Sequence, residues 1–405
     1  LPCFKALLCW GGIIAYVVPL PGQSSKGYIY GELQLKNGET YQGQMRWENE
    51  EAFWGDLFNA YRFDRPIQDM LSEQQAKRVA EPSETFRFGF MELWADRGPS
   101  VQYAYHCHFG DLRRLNYHRD FVEATFKNGA TQKFMRRGDL DQDIIIYDSG
   151  LGSIDVDPED IALIRFAATP AGLSVRGGTP IYAHLLTTQG AFEGYVTWDS
   201  EECLSDDLIS GERKGVDVDI RFGEIVEWKA QDDGSLLTLR SGRTVFLNGH
   251  DDVGPGNHGI ALRRPDSSHL DIDWRNFISA EFLPPPEPLP TYGDFKAPGP
   301  IRGTVTTKAG ATFSGTIVYD LDERYDNEML NGENNGFNYY LPFRVVERIE
   351  PQNDKFSLVY LRGGVQLLLG DSGDVTADNQ GLLIQGAGNQ STYLPWTDIK
   401  AIRFE

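Results

Sequence analysis

Polar and apolar residues alternate with a period of two over most of this chain, and glycine-bearing turns break the pattern. Such spacing puts every second side chain on one face, as a half-buried antiparallel strand requires. In residues 31–47, Leu33 and Leu35 alternate with polar residues before Asn37-Gly38, and Tyr41, Met45 and Trp47 do so after it. The result is a strand, a tight turn and a strand ending in an aromatic residue. The same sequence of features returns at 183–198 around Gly190 and at 303–319 around Gly310.

More features recur in the same order. An acidic stretch follows each aromatic: Glu48-Asn-Glu-Glu51, Asp199-Ser-Glu-Glu202 and Asp320-Leu-Asp-Glu323. An apolar residue stands about ten positions after the aromatic, at Leu57, Leu208 and Leu330. Each copy closes on a similar signature: Pro158-Glu-Asp-Ile161, Trp274-Arg-Asn-Phe277 and Trp396-Thr-Asp-Ile399, each followed by an apolar strand. Self-similarity of this kind marks a repeat architecture. It predicts an all-β protein of three tandem repeats of small, barrel-like antiparallel modules, over residues 27–168, 180–282 and 300–405. The first repeat carries extra residues, 61–104, in which Ile67 to Ala80 predict a short helix. Residues 283–299 begin Leu283-Pro-Pro-Pro-Glu-Pro-Leu-Pro290, which predicts a semi-rigid spacer.

The opening hairpin, Leu33-x-Leu35-Lys-Asn-Gly38-x-x-Tyr41-x-Gly43, resembles the first motif of Sm-like small β-barrels. The resemblance covers about thirty residues per repeat. It implies short bent strands closed on themselves, which would leave few free sheet edges. The second Sm motif, which supplies much of that family's RNA contact, has no counterpart here.

Charge also argues against nucleic acid. Fifty-nine acidic residues oppose 38 basic ones, a net charge of −21, which repels phosphate backbones and anionic membranes. The N-terminus has one early lysine, an apolar run from Ala6 to Leu20 and a polar exit at Gln23-Ser24-Ser25. That is the layout of a secretory signal over residues 1–26, and the run is too short to span a bilayer comfortably. The expectation is an exported chain, secreted or held in the periplasm or cell envelope, with no transmembrane segment once processed. Cys107 and Cys203 follow the signal; they make neither a disulfide framework nor a zinc spacing.

Several motifs suggest chemistry that their context does not support. Gly254-Pro-Gly256-Asn-His-Gly259 fits the dinucleotide fingerprint, but a strand-like segment follows it where a helix is needed. Gly370-Asp-Ser372-Gly373 resembles a serine-protease nucleophile segment, yet it aligns with a variable loop. In His106-Cys107-His108 the cysteine aligns with Ile220 and Leu341, an inward apolar place, so the flanking histidines are expected to point outward. Trp47, Trp198, Trp274 and Trp396 at strand ends are expected to pack the core or rim.

The acidic turns supply the candidate ligand-binding residues: Asp199, Glu201, Glu202, Asp320, Asp322 and Glu323. Grouped carboxylates suit calcium, and paired ones suit glycosidic cleavage. No catalytic residue, metal ligand or cofactor is assigned. The sequence is best accounted for by an exported, non-catalytic binding or scaffold protein that presents tandem β modules to a protein or glycan partner in the cell envelope. The alternatives are a glycan-acting hydrolase with a site between repeats and a calcium-dependent assembly protein.

Overall fold

The period-two segments become strands in the computed structural model, which describes residues 25–63, 103–286, 288–386 and 391–405. Most of the signal-like segment and the helix expected at 67–80 lie outside those residues. The fold is all-β; among the described residues no helix exceeds four residues, and none is long and apolar enough to cross a membrane.

The strands of the described residues come in three successive sets of ten. The first set is β1 (Tyr30–Leu35), β2 (Thr40–Trp47), β3 (Leu57–Arg62), β4 (Tyr103–His108), β5 (Leu112–Tyr117), β6 (Val122–Phe126), β7 (Thr131–Phe134), β8 (Ile144–Asp148), β9 (Gly152–Val156) and β10 (Ile161–Phe166). The second is β11 (Tyr182–Thr187), β12 (Gly190–Trp198), β13 (Leu208–Glu212), β14 (Asp217–Arg221), β15 (Ile225–Gln231), β16 (Gly234–Leu239), β17 (Thr244–Asn248), β18 (Ile260–Arg263), β19 (His269–Ile272) and β20 (Phe277–Phe282). The third is β21 (Arg302–Thr307), β22 (Thr312–Val318), β23 (Met329–Glu333), β24 (Phe337–Pro342), β25 (Val346–Pro351), β26 (Phe356–Leu361), β27 (Gln366–Gly370), β28 (Leu382–Gln385), β29 (Ser391–Leu394) and β30 (Ile399–Phe404).

Pairing in the first set runs β4-β3-β7-β6-β5-β10-β1-β2-β8-β9, antiparallel throughout. Corresponding strands pair in the same way in the second set and in the third. The first set is a ten-stranded sheet. The other two fuse into one of twenty strands, because β19 pairs with β24 from His269↔Tyr340 to Ile272↔Phe337.

Neither sheet closes, whereas the hairpin resemblance implied small closed barrels. A five-strand closure would need β2 to pair with β3; β2 pairs with β8 instead. Glycine permits that approach. A Cβ on Gly43 would lie 2.1 Å from the Tyr147 carbonyl oxygen, one on Gly194 2.4 Å from that of Arg263, and one on Gly315 2.1 Å from that of Gln385.

The aromatic at the end of the second strand is buried in every set. Trp47 packs 4.6 Å from Phe109, Trp198 4.2 Å from Trp228 and Tyr319 5.1 Å from Phe343, centroid to centroid. Trp274 and Trp396 are buried too, so these rings are core and offer no stacking platform. Cys107 points inward and, like Cys203, is an unbridged buried thiol. The neighbouring histidines depart from expectation. His106 and His108 are buried rather than outward, because the other two sets pack over β4. His106 meets the Tyr340 ring at 5.0 Å and His108 the His269 ring at 5.4 Å. Arg344 donates to His108 Nδ1 at 3.0 Å, which leaves Nε2 to donate to the Ser267 carbonyl, also at 3.0 Å.

The proline-rich segment, expected to act as a spacer, lies as a strap across the first set. Tyr292 stacks 4.5 Å from Trp54 and donates its hydroxyl to the Leu112 carbonyl at 2.7 Å. Lys127 Nζ bonds the Phe295 carbonyl at 2.9 Å, and Asn128 bonds that of Pro298 at 3.0 Å.

Candidate functional site

Each acidic turn begins where the chain leaves its aromatic strand through the left-handed region: Glu48 has φ 38°, Asp199 50° and Asp320 42°. The turn then folds back so that the Trp47, Trp198 and Tyr319 amides donate to the carbonyls of Glu51, Glu202 and Glu323. This geometry carries the carboxyl groups inward. Of the six candidate residues, Asp199, Glu202, Asp320, Asp322 and Glu323 are buried and Glu201 is exposed.

Their partners are mostly the chain's own. Asp199 Oδ1 accepts from the His258 amide and lies 2.9 Å from His258 Nδ1; Asp320 Oδ1 accepts from the Gln380 amide. Each buried glutamate also feels the charge of an aspartate from a later turn, Glu51 that of Asp139, Glu202 that of Asp252, and Glu323, after its neighbour Asp322, that of Asp374. Those aspartates accept from the backbone amides of Asn59 at 2.8 Å, Ser210 at 2.6 Å and Asn331 at 2.7 Å. Burial and the facing carboxyl push Glu202 up to about 9, and burial pushes Asp374 up to about 8. Glu51, Asp139 and Glu323 are driven well above the carboxylate range by the same burial. Among the described residues no three His, Cys, Asp or Glu side chains are arranged to hold a metal ion.

A second group of carboxylates was missed in the sequence. Asp56 Oδ2 accepts from the amides of Ala52 and Phe53, Asp207 Oδ2 from Cys203 and Leu204, and Glu328 Oε1 from Arg324 and Tyr325. Every one of these caps takes an arginine from a different strand set. Arg46 grips Asp207 with two bonds of 2.8 Å, Arg263 Nε lies 3.3 Å from Asp56, and Arg62 pairs with Glu328 and Asp322. An acidic residue one or two positions before Leu57, Leu208 and Leu330 was the available signal.

Between the first two sets these elements line a partly open cavity of about 90 Å³, bordered by Glu50, Glu51, Asn59, Arg263, His269 and Asp271 among others. Burial, with the charges of Glu48 and Asp271 nearby, pushes Glu50 up to about 7. Burial also raises Asp271 to about 7, against a hydrogen bond from Tyr340 that lowers it. Asn59 Oδ1, Glu51 Oε2 and His269 Nε2 are buried there without a hydrogen-bond partner. The cavity could hold a few waters or a small ion; pockets that take a sugar or cofactor run to roughly 300 Å³ or more. Compared with known proteins, the chain matches no family model, no curated protein and no solved structure.

Proposed function

We propose that this is an exported, non-catalytic scaffold or binding protein, made of three tandem barrel-like β repeats and presenting its outer surface to a protein partner in the cell envelope. The observation that carries the reading is the use of the recurring carboxylates. In each strand set they bond backbone amides or receive an arginine from another set, which is framework work repeated three times. A protein is favoured over a glycan because the strand-end tryptophans are buried, while Leu151, Leu186, Leu208 and Ile278 are exposed.

The hydrolase reading has one observation in its favour, the raised carboxyl groups Glu50 and Asp271 at the cavity. Its volume, about 90 Å³, does not admit a sugar ring. The test is an assay of reducing-end release from envelope glycans beside co-sedimentation with envelope fractions. The expected result is binding with no release above that of a Glu50→Gln variant. Release by the unmodified chain that vanishes in the variant would replace the scaffold with the hydrolase.

A further inference from the structure

One strand-to-strand junction inside the molecule shows how one set of ten strands receives another. β19, the ninth strand of the second set, adds to β24, the fourth strand of the third. Their counterparts elsewhere follow from the matched pairings: β9 and β29 correspond to β19, and β4 and β14 to β24. β4 is buried under the other sets. Among the described residues β14 pairs only with β13 and β29 only with β28, so the twenty-stranded sheet ends in a receiving strand at one side and an adding strand at the other.

The receiving edge shows the imprint of a missing neighbour. The β13–β14 turn matches the β23–β24 turn bond for bond: Arg213 and Val216 exchange backbone hydrogen bonds, as do Asn334 and Phe337. Phe337 is 0% exposed beside β19, whereas its counterpart Val216 is 62% exposed. One apolar side chain is thus left in water at a place that β19 covers in the third set.

We propose that β14 is the docking edge for β29 of a second copy of this chain, so that copies join head to tail and continue the sheet. Strand addition to an open edge supplies main-chain hydrogen bonds, and a heterologous contact of this kind propagates. Transferring the β19–β24 register sets Leu394 opposite Val216, Tyr393 opposite Asp217, Thr392 opposite Val218 and Ser391 opposite Asp219. The exposed Ser391 hydroxyl meets the Asp219 carboxylate, while Leu394 stays in its own core and the Tyr393 hydroxyl stays on the Gln380 carbonyl at 2.7 Å, so the main-chain bonds carry the junction. The other open candidate, β9, fits worse, since it would set Asp155 opposite Asp217, and like charges directly opposed destabilise a pair. The inference concerns self-association and does not depend on which outside partner the protein binds.

The direct test is the full chain carrying Asp219→Cys and Ser391→Cys, oxidised in air and run on a non-reducing gel. Cys107 and Cys203 are buried, and Cys3 and Cys9 are replaced by serine in every variant, so the introduced thiols do the chemistry. The expected result is a ladder of covalent multiples that neither single variant gives. Monomer alone, an internal bridge, or nothing beyond the dimers of the single variants overturns the proposal. Sedimentation supplies the second reading, with the unmodified chain gaining mass above 45.5 kDa as concentration rises. Ser391→Asp should weaken association about fivefold, and adding Asp219→Lys should restore it. A mass fixed at the monomer, or association that Ser391→Asp leaves unchanged, overturns it equally.

Discussion

Asp207 serves two purposes with one carboxyl group, holding the Cys203 and Leu204 amides and binding Arg46 from another strand set. Both side chains of the pair are largely buried, and removing one partner of a buried pair strands the other charge. Asp207→Ala should therefore cost about 3–5 kcal/mol in urea unfolding. Arg46→Met should cost less, because the amide bonds to Asp207 survive; the opposite order would show that the cap contributes little. The facing carboxyls set a pH dependence. Glu202 and Asp374 are raised to about 9 and about 8, so the folded chain holds protons that the unfolded chain releases above the ordinary carboxylate range. Their contribution is fully present below pH 4 and is lost as pH climbs through 8 and 9. The urea midpoint should fall across that interval, and Glu202→Gln, which mimics the protonated acid, should recover on the order of 2 kcal/mol at pH 9. A midpoint that rises from pH 5 to 9 would contradict these shifts.

At the scale of elements, close strand approach rests on a side chain that is absent. Gly194→Ala puts a methyl group 2.4 Å from the Arg263 carbonyl oxygen, and β12 or β18 must move. A loss of about 1–3 kcal/mol in thermal unfolding is expected. Gly254→Ala, whose nearest contact would be the His250 carbonyl at 3.1 Å, should cost less, and equal losses would mean that β12 and β18 yield easily. The hairpins at Gly38, Gly190 and Gly310 are legible in the sequence because alternation and turn glycines are local signals. So is the inward place of Cys107. The arginine caps are not, since Arg46 and Asp207 stand 161 residues apart and Arg62 and Glu328 stand 266 apart. Nothing near Arg62 in the chain distinguishes it from a solvated arginine. His106 and His108 mislead for a related reason: alternation tells which way a side chain points from its own sheet, and it carries no information about another sheet lying over that face. The cavity, assembled from two sets, is likewise invisible to local pattern, although Glu50 and Glu51 stand in a stretch that the recurrence already singles out.

Across the whole molecule the connections are unequal. The second and third sets share backbone hydrogen bonds through β19 and β24. The first set is joined by side chains: the arginine pairs, the Tyr28, Phe53 and Leu204 cluster, and the strap. Replacing both Arg46 and Arg62 with Met should therefore split calorimetric unfolding into two transitions, the first set melting at the lower temperature. A single transition would mean that the apolar cluster and strap suffice. The strap also imposes an order in time. Tyr292 and Phe295 are made only after the second set, yet they finish the surface of the first. Chains emerge N-terminus first, so the Trp54 ring, the Leu112 carbonyl and the Lys127 ammonium wait in water while more than a hundred further residues are synthesised. A nascent chain halted at residue 282 would hold ten strands without their lid, open to proteases that the finished protein shuts out.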